Sequence, residues 1–131
     1  MTAVRKFVRI PTGAGELEAE FESPAVPQGA VLFALGSAAS RGSPRNQFVS
    51  RAFSRCGFAS LTLDLLAPDE AHARRYDIEL IAGRLRAALR WLRQFPTGVQ
   101  LPIGLFGAGT GAAAALRVGA DAGPRVAAIV S

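Results

Sequence analysis

Between Glu16 and Glu22 the chain alternates without a break: Glu16, Glu18, Glu20 and Glu22 are separated by Leu17, Ala19 and Phe21. Successive side chains of a strand point to opposite faces, so this pattern predicts a strand with one dry face and one wet face. Residues 4–10 also alternate, and "PTGAG" between the two runs supplies turn glycines. The prediction is a β-hairpin. Its outward charge suits the margin of a sheet, where charge discourages stray pairing.

"SPAVPQG" at 23–29 interrupts the pattern, and the strands predicted beyond it are different in kind. "AVLFAL" (30–35), "FASLTLDLL" (58–66), "LPIGLF" (101–106) and "RVAAIV" (125–130) are near-continuous apolar runs. Strands covered on both faces read this way. Helical patterns separate them. Ser43 is placed to cap a helix that starts at Pro44, with Phe48, Val49, Ala52, Phe53 and Cys56 on its core stripe and Gly57 after its end. Asp77 is placed to cap a longer helix reaching about Phe95. Its core face would carry Ile78, Ile81, Leu85, Leu89 and Leu92, with Arg86, Arg90 and Arg93 outside. A third helix is expected from about Gly111 to Gly119.

The order is therefore a hairpin, then β-α-β-α-β-α-β. Right-handed crossovers make this one α/β domain over 1–131, an open and mostly parallel sheet with helices on both faces. Ligands of such sheets bind beyond the carboxyl ends of the strands. Three segments share that rim: "LGSAASRG", "DLLAPDE" and "FGAGTG".

Composition narrows the function classes only modestly. Half of the 131 residues are hydrophobic, enough for a packed core. The formal charge of +5 is carried by arginine, since Lys6 is the only lysine. No basic run is interleaved with aromatics, so no nucleic-acid partner is expected. No apolar stretch approaches the ~20 residues of a membrane span, and no membrane association is expected. The N-terminus lacks the apolar core of a signal peptide. With one cysteine, Cys56, no intrachain disulfide can form. A cytoplasmic location is the expectation. No His, Cys or carboxylate cluster has metal-ligand spacing, and no metal or cofactor is expected.

Chemistry concentrates at "FGAGTGA", residues 106–112. A small-x-nucleophile-x-small turn between strand and helix projects its central side chain sharply. Gly107, Gly111 and Ala112 fit the small positions, but the central residue is Gly109, which has nothing to attack with. Gly107, Gly109 and Ala112 also match the dinucleotide pattern G-x-G-x-x-A, although no acid stands at the end of the following strand. A third reading is a tight left-handed turn that holds no ligand. Gly36 and Ser37 stand where an oxyanion-hole N–H would arise. Ser40, Arg41 and Arg45 surround a helix start, a place suited to an anion. The alternative is that Ser43 caps and the arginines point into water. Asp64 ends a strand at the same rim, to bind a hydroxyl or to cap local N–H groups. His72, the sole histidine, reads as exposed, and Cys56 as core packing.

"VLFALGSAASRGSPRN", "FASLTLDLLAPDE", "RYDIELIAGRLRAALRWL" and "LPIGLFGAGTGAAAALR" together resemble the N-terminal half of a dienelactone-hydrolase-like α/β-hydrolase. The resemblance runs from about residue 5 to the end. It implies ester or lactone hydrolysis through an acyl-enzyme, with oxyanion donors near Ser37 and Thr110. It also implies a histidine where Leu35 stands, a Ser or Cys where Gly109 stands, and an acid and a histidine after later strands. The expectation is a chain inactive by that route. Its rim residues Leu35, Gly36, Ser37, Ser40, Arg41, Asp64, Ala108, Gly109 and Thr110 would contact a small ester, lactone or anionic ligand. A strand at 125–130 with an open apolar edge predicts a homo-oligomer or a partner chain there.

Overall fold

A computed structural model describes residues 4–13, 15–35, 43–67, 69–70, 73–74, 76–94, 101–122 and 126–130. The hairpin forms as β1 (Val4–Thr12) and β2 (Gly15–Ser23), paired antiparallel with Thr12 opposite Gly15. Leu17, Ala19 and Phe21 are buried as the alternation requires. β2 is not the margin, however. It pairs onward with β4 (Phe58–Asp64), and β1 takes the outer position. The strands β3 (Gly29–Leu35), β4, β5 (Ile103–Ala108) and β6 (Ala128–Val130) are parallel, and the sheet order is β1-β2-β4-β3-β5-β6.

Three helices cross between strands: α1 (Pro44–Arg55), α2 (Ile78–Gln94) and α3 (Thr110–Ala122). Both predicted caps are present. Asn46 N–H donates to Ser43 Oγ at 3.5 Å, and Leu80 N–H donates to Asp77 Oδ1 at 3.1 Å. These satisfy donors that the first helical turn leaves without partners. α2 and α3 cover one face of the sheet. There Ile81, Leu85, Leu89 and Leu92 of α2 and Ala114, Ala115 and Val118 of α3 close on Phe21, Leu32, Leu61, Leu63 and Leu105. Trp91 meets Phe21 edge-on, with ring centroids 5.7 Å apart. Arg86, expected outside, leans toward α3 and pairs with Asp121 at 2.6 Å.

Among the described residues α1 covers the other face, and the predicted stripe holds only in part: Val49 and Phe53 pack on the core, whereas Phe48 and Cys56 do not. Its buried residues are Asn46, Ser50 and Ser54; Phe48 is 70% exposed, and Cys56 is exposed rather than core. The cause lies in the sheet. On this face β2 and β4 present Glu22, Ser60 and Thr62, all buried. Polar groups out of water need partners, and the Ser50 hydroxyl meets that of Ser60 at 3.0 Å. Only the other flank of α1 is apolar. Val49 and Phe53 pack there with Val31, Phe33, Leu35, Phe58 and Phe106.

β6 also departs from expectation. Its three residues are exposed or half-buried, not covered on both faces. The strand is outermost, and α3 reaches it on one side only, where Ile129 joins the core. β5 alternates between buried and half-buried, and its half-buried Phe106 packs on the side of α1.

Candidate functional site

Parallel register assembles the rim. Leu35, the last residue of β3, lies between Asp64 of β4 and Ala108 of β5. Adjacent strands are about 4.8 Å apart, so three of the predicted residues stand in one row. Gly109 and Thr110 follow directly on Ala108. Leu35 is fully buried, Asp64, Ala108 and Thr110 are half-buried, and Gly109 is exposed. Leu65 N–H closes the row by donating to Leu35 O at 3.2 Å. Gly36, Ser37, Ser40, Arg41 and His72 lie outside the described residues.

The turn from β5 into α3 is a tight corner made by glycine. Gly109 has φ +60, a left-handed conformation that an L side chain adopts only at a cost. A Cβ built at Gly109 would meet nothing within 4 Å. The obstacle to a side chain there is conformational and not spatial. Gly107 is the opposite case. A Cβ at Gly107 would lie 2.6 Å from Ala112 Cα and 2.9 Å from Gly111 O, so its absence lets α3 start directly against β5. Ala112 N–H donates to Gly109 O at 3.1 Å and locks the corner. Next to it, Thr110 Oγ1 is buried with no hydrogen-bond partner among the described residues. The sequence pattern points to Thr110 as a rim residue and as a source of a backbone N–H. Nothing in the pattern signals a buried hydroxyl left over at the same corner.

The loop after β4 is pinned from beneath. Arg84 of α2 grips Glu70 through two bonds of 2.6 and 2.7 Å and also donates to Leu65 O at 2.9 Å. Ala67 N–H adds a bond of 2.9 Å to the same carboxylate. The Arg84 hydrogen bonds hold the Glu70 carboxyl down at about 2, with partial burial opposing them. The guanidinium is raised in turn by Glu70. Bidentate pairs of this kind fix geometry as well as charge, so the strut sets where the rim loop leaves β4. Neither residue was singled out from the sequence, because a loop Glu and a helical Arg fourteen residues apart form no motif.

A corner of this kind, between the fifth strand and its helix in a β1-β2-β4-β3-β5-β6 sheet, defines an α/β-hydrolase fold. Solved structures bear this out. A dienelactone hydrolase from Anabaena variabilis is 37% identical with a TM-score of 0.86, over 96% of this chain and 61% of that one. A Pyrococcus furiosus esterase, Pf2001, superposes with a TM-score of 0.78 at 21% identity, over 96% and 49% of the two chains. P91, a dienelactone hydrolase-like promiscuous phosphotriesterase from metagenomic libraries, superposes with a TM-score of 0.75 at 19% identity, over 96% and 57%. The chain is dienelactone-hydrolase-like in fold and spans 61% of the length of the Anabaena protein, with Gly109 at the centre of the corner between β5 and α3. No protein-family model matches the sequence. Among curated proteins, a "putative phosphoribosyl transferase" of Mycobacterium tuberculosis strain H37Rv is 43% identical over 126 residues. A protein of the same name in strain CDC 1551 is equally similar. The match takes in 95% of this chain, which spans only 28% of the length of either relative. No helix among the described residues is long and apolar enough to cross a membrane.

Proposed function

We propose that this chain is the N-terminal part of an ester- or lactone-binding hydrolase fold and that it forms no acyl-enzyme at its elbow. The observation that carries this is Gly109: the corner is present, and its central residue has no atom able to attack a carbonyl. What remains at the rim is a binding surface. Ala108, Gly109 and Thr110 form one wall and Asp64 stands across the row. A fluorophosphonate probe followed by intact-mass measurement tests the reading. The expected result is no adduct. Stoichiometric labelling mapped to Thr110, or to any residue of 106–112, would overturn it.

A second reading is a phosphate-bearing ligand at the start of α3. Two observations favour it: the leftover Thr110 hydroxyl, and the name carried by the M. tuberculosis relatives. Helix N-termini attract anions through free N–H groups and the helix dipole. On this reading inorganic phosphate or ribose 5-phosphate raises the melting temperature, and Thr110→Val removes the effect.

A further inference from the structure

The chain has ten acidic side chains against fifteen arginines and lysines, a formal charge of +5. All ten acids lie among the described residues, and α1 has none of them. Six of the ten pair with arginines outside α1. Arg45, Arg51 and Arg55 of α1 form no ion pair among the described residues. A large share of the excess positive charge is therefore collected on one helix.

Helical spacing sets these arginines in a row. Arg45, Phe48, Arg51 and Arg55 are three or four residues apart, so they share one side of the helix over about 15 Å. All four are exposed. The side toward the sheet is formed by Asn46, Ser50 and Ser54, which are buried, and by Val49 and Phe53 on the core. The row faces away from that side. Phe48, at 70% exposure, stands inside the row, with an arginine three residues before it and another three after.

We propose that this side of α1 docks an acidic polypeptide segment, with Arg45, Arg51 and Arg55 taking its carboxylates and Phe48 meeting an apolar side chain set among them. Charge complementarity requires an anionic partner, and the guanidinium fork matches a carboxylate with two donors. An aromatic centre with a charged rim is also how protein interfaces are built. A membrane surface fits less well. An interfacial helix buries a whole apolar face, and that of α1 is turned into the protein. A nucleic-acid strand stacks successive bases on aromatic side chains, and this row offers a single ring.

Fluorescence anisotropy of a labelled peptide gives the test, the peptide being glutamate throughout with leucine at every fourth position. The full chain is expected to bind it at about 0.05 M salt and to release it by about 0.5 M, where exposed charges are screened. Arg51→Gln with Arg55→Gln should weaken binding by about tenfold or more. Arg90→Gln with Arg117→Gln removes the same charge from α2 and α3 and should change binding by less than about twofold. Phe48→Ser should weaken binding of this peptide and leave unchanged that of a peptide with serine in place of leucine. All these sites are exposed, and circular dichroism confirms that each variant is folded. No binding in low salt would overturn the proposal, and so would equal losses from the two arginine pairs. Tighter binding of an oligothymidylate of the same length, or of phosphatidylglycerol vesicles, would overturn it in favour of a nucleic acid or a membrane.

Discussion

The two faces of the sheet solve different problems with the same strands. Under α2 and α3 the contact is dry, built from leucine, isoleucine, alanine and valine that are almost wholly buried. Under α1 it is half polar, with Ser50 against Ser60 and Thr62 and Glu22 alongside. Burying a leucine stabilises by roughly 1.5–3 kcal/mol, whereas a hydrogen bond nets about 1 kcal/mol because water offers the same bond to the unfolded chain. The dry face therefore dominates stability, and the α1 face tolerates exchange. Charge follows the division only in part: Arg84, Arg86 and Arg117 are paired on the dry side, and Arg45, Arg51 and Arg55 of α1 form no ion pair among the described residues.

The largest effect expected from this contrast is at Leu85, fully buried under α2. Leu85→Ala should cost about 3 kcal/mol in urea unfolding; a loss below about 1 kcal/mol would mean that the dry face is not the main core. Next comes the strut. Arg84→Met should cost about 1–2 kcal/mol, since it strands a partly buried carboxylate. The strut also predicts a pH signature. Glu70 titrates at about 2 when folded, against an ordinary value of 4.5 once unfolding frees the side chain. Its contribution is therefore whole above about 4.5 and is lost as pH falls toward 2. Glu70→Gln should flatten the decline of stability over that window. The smaller effects belong to the α1 face. Ser50→Ala should cost about 1 kcal/mol by leaving Ser60 without its partner, and Ser50→Ala with Ser60→Ala should be nearly neutral. Arg51→Met should change monomer stability by less than about 0.5 kcal/mol.

Element order, both helix caps and the glycine corner were legible in the sequence, because each rests on a local rule. Strict alternation marks β2, continuous apolar runs mark β3 and β4, and Asp77 and Ser43 sit one residue ahead of their helices. The orientation of α1 was not legible. Its apolar stripe through Phe48 and Cys56 is a good amphipathic pattern, yet the face it meets is set by Ser60 and Thr62, which read as part of an apolar strand. Helix rotation is decided by the partner surface, and that surface is assembled from the adjoining β4 together with Glu22 of β2, which is distant in sequence. β6 differs too: its apolar run lies at the edge of the described sheet, where Ile129 packs on the core and Ala128 and Val130 are exposed. At the site, register brought Leu35, Asp64 and Ala108 into line as the topology predicts, while the Arg84–Glu70 strut and the leftover Thr110 hydroxyl carry no sequence signature.

Gly109 also sets the direction in which this corner can change. Any residue with a Cβ at φ +60 must climb by about 1–2 kcal/mol. Installing an attacking group at position 109 is therefore uphill before a substrate arrives, even though the space above it is open. Relaxation runs the other way: a corner that holds glycine is at rest, and the scaffold around it keeps its shape whether or not anything reacts there.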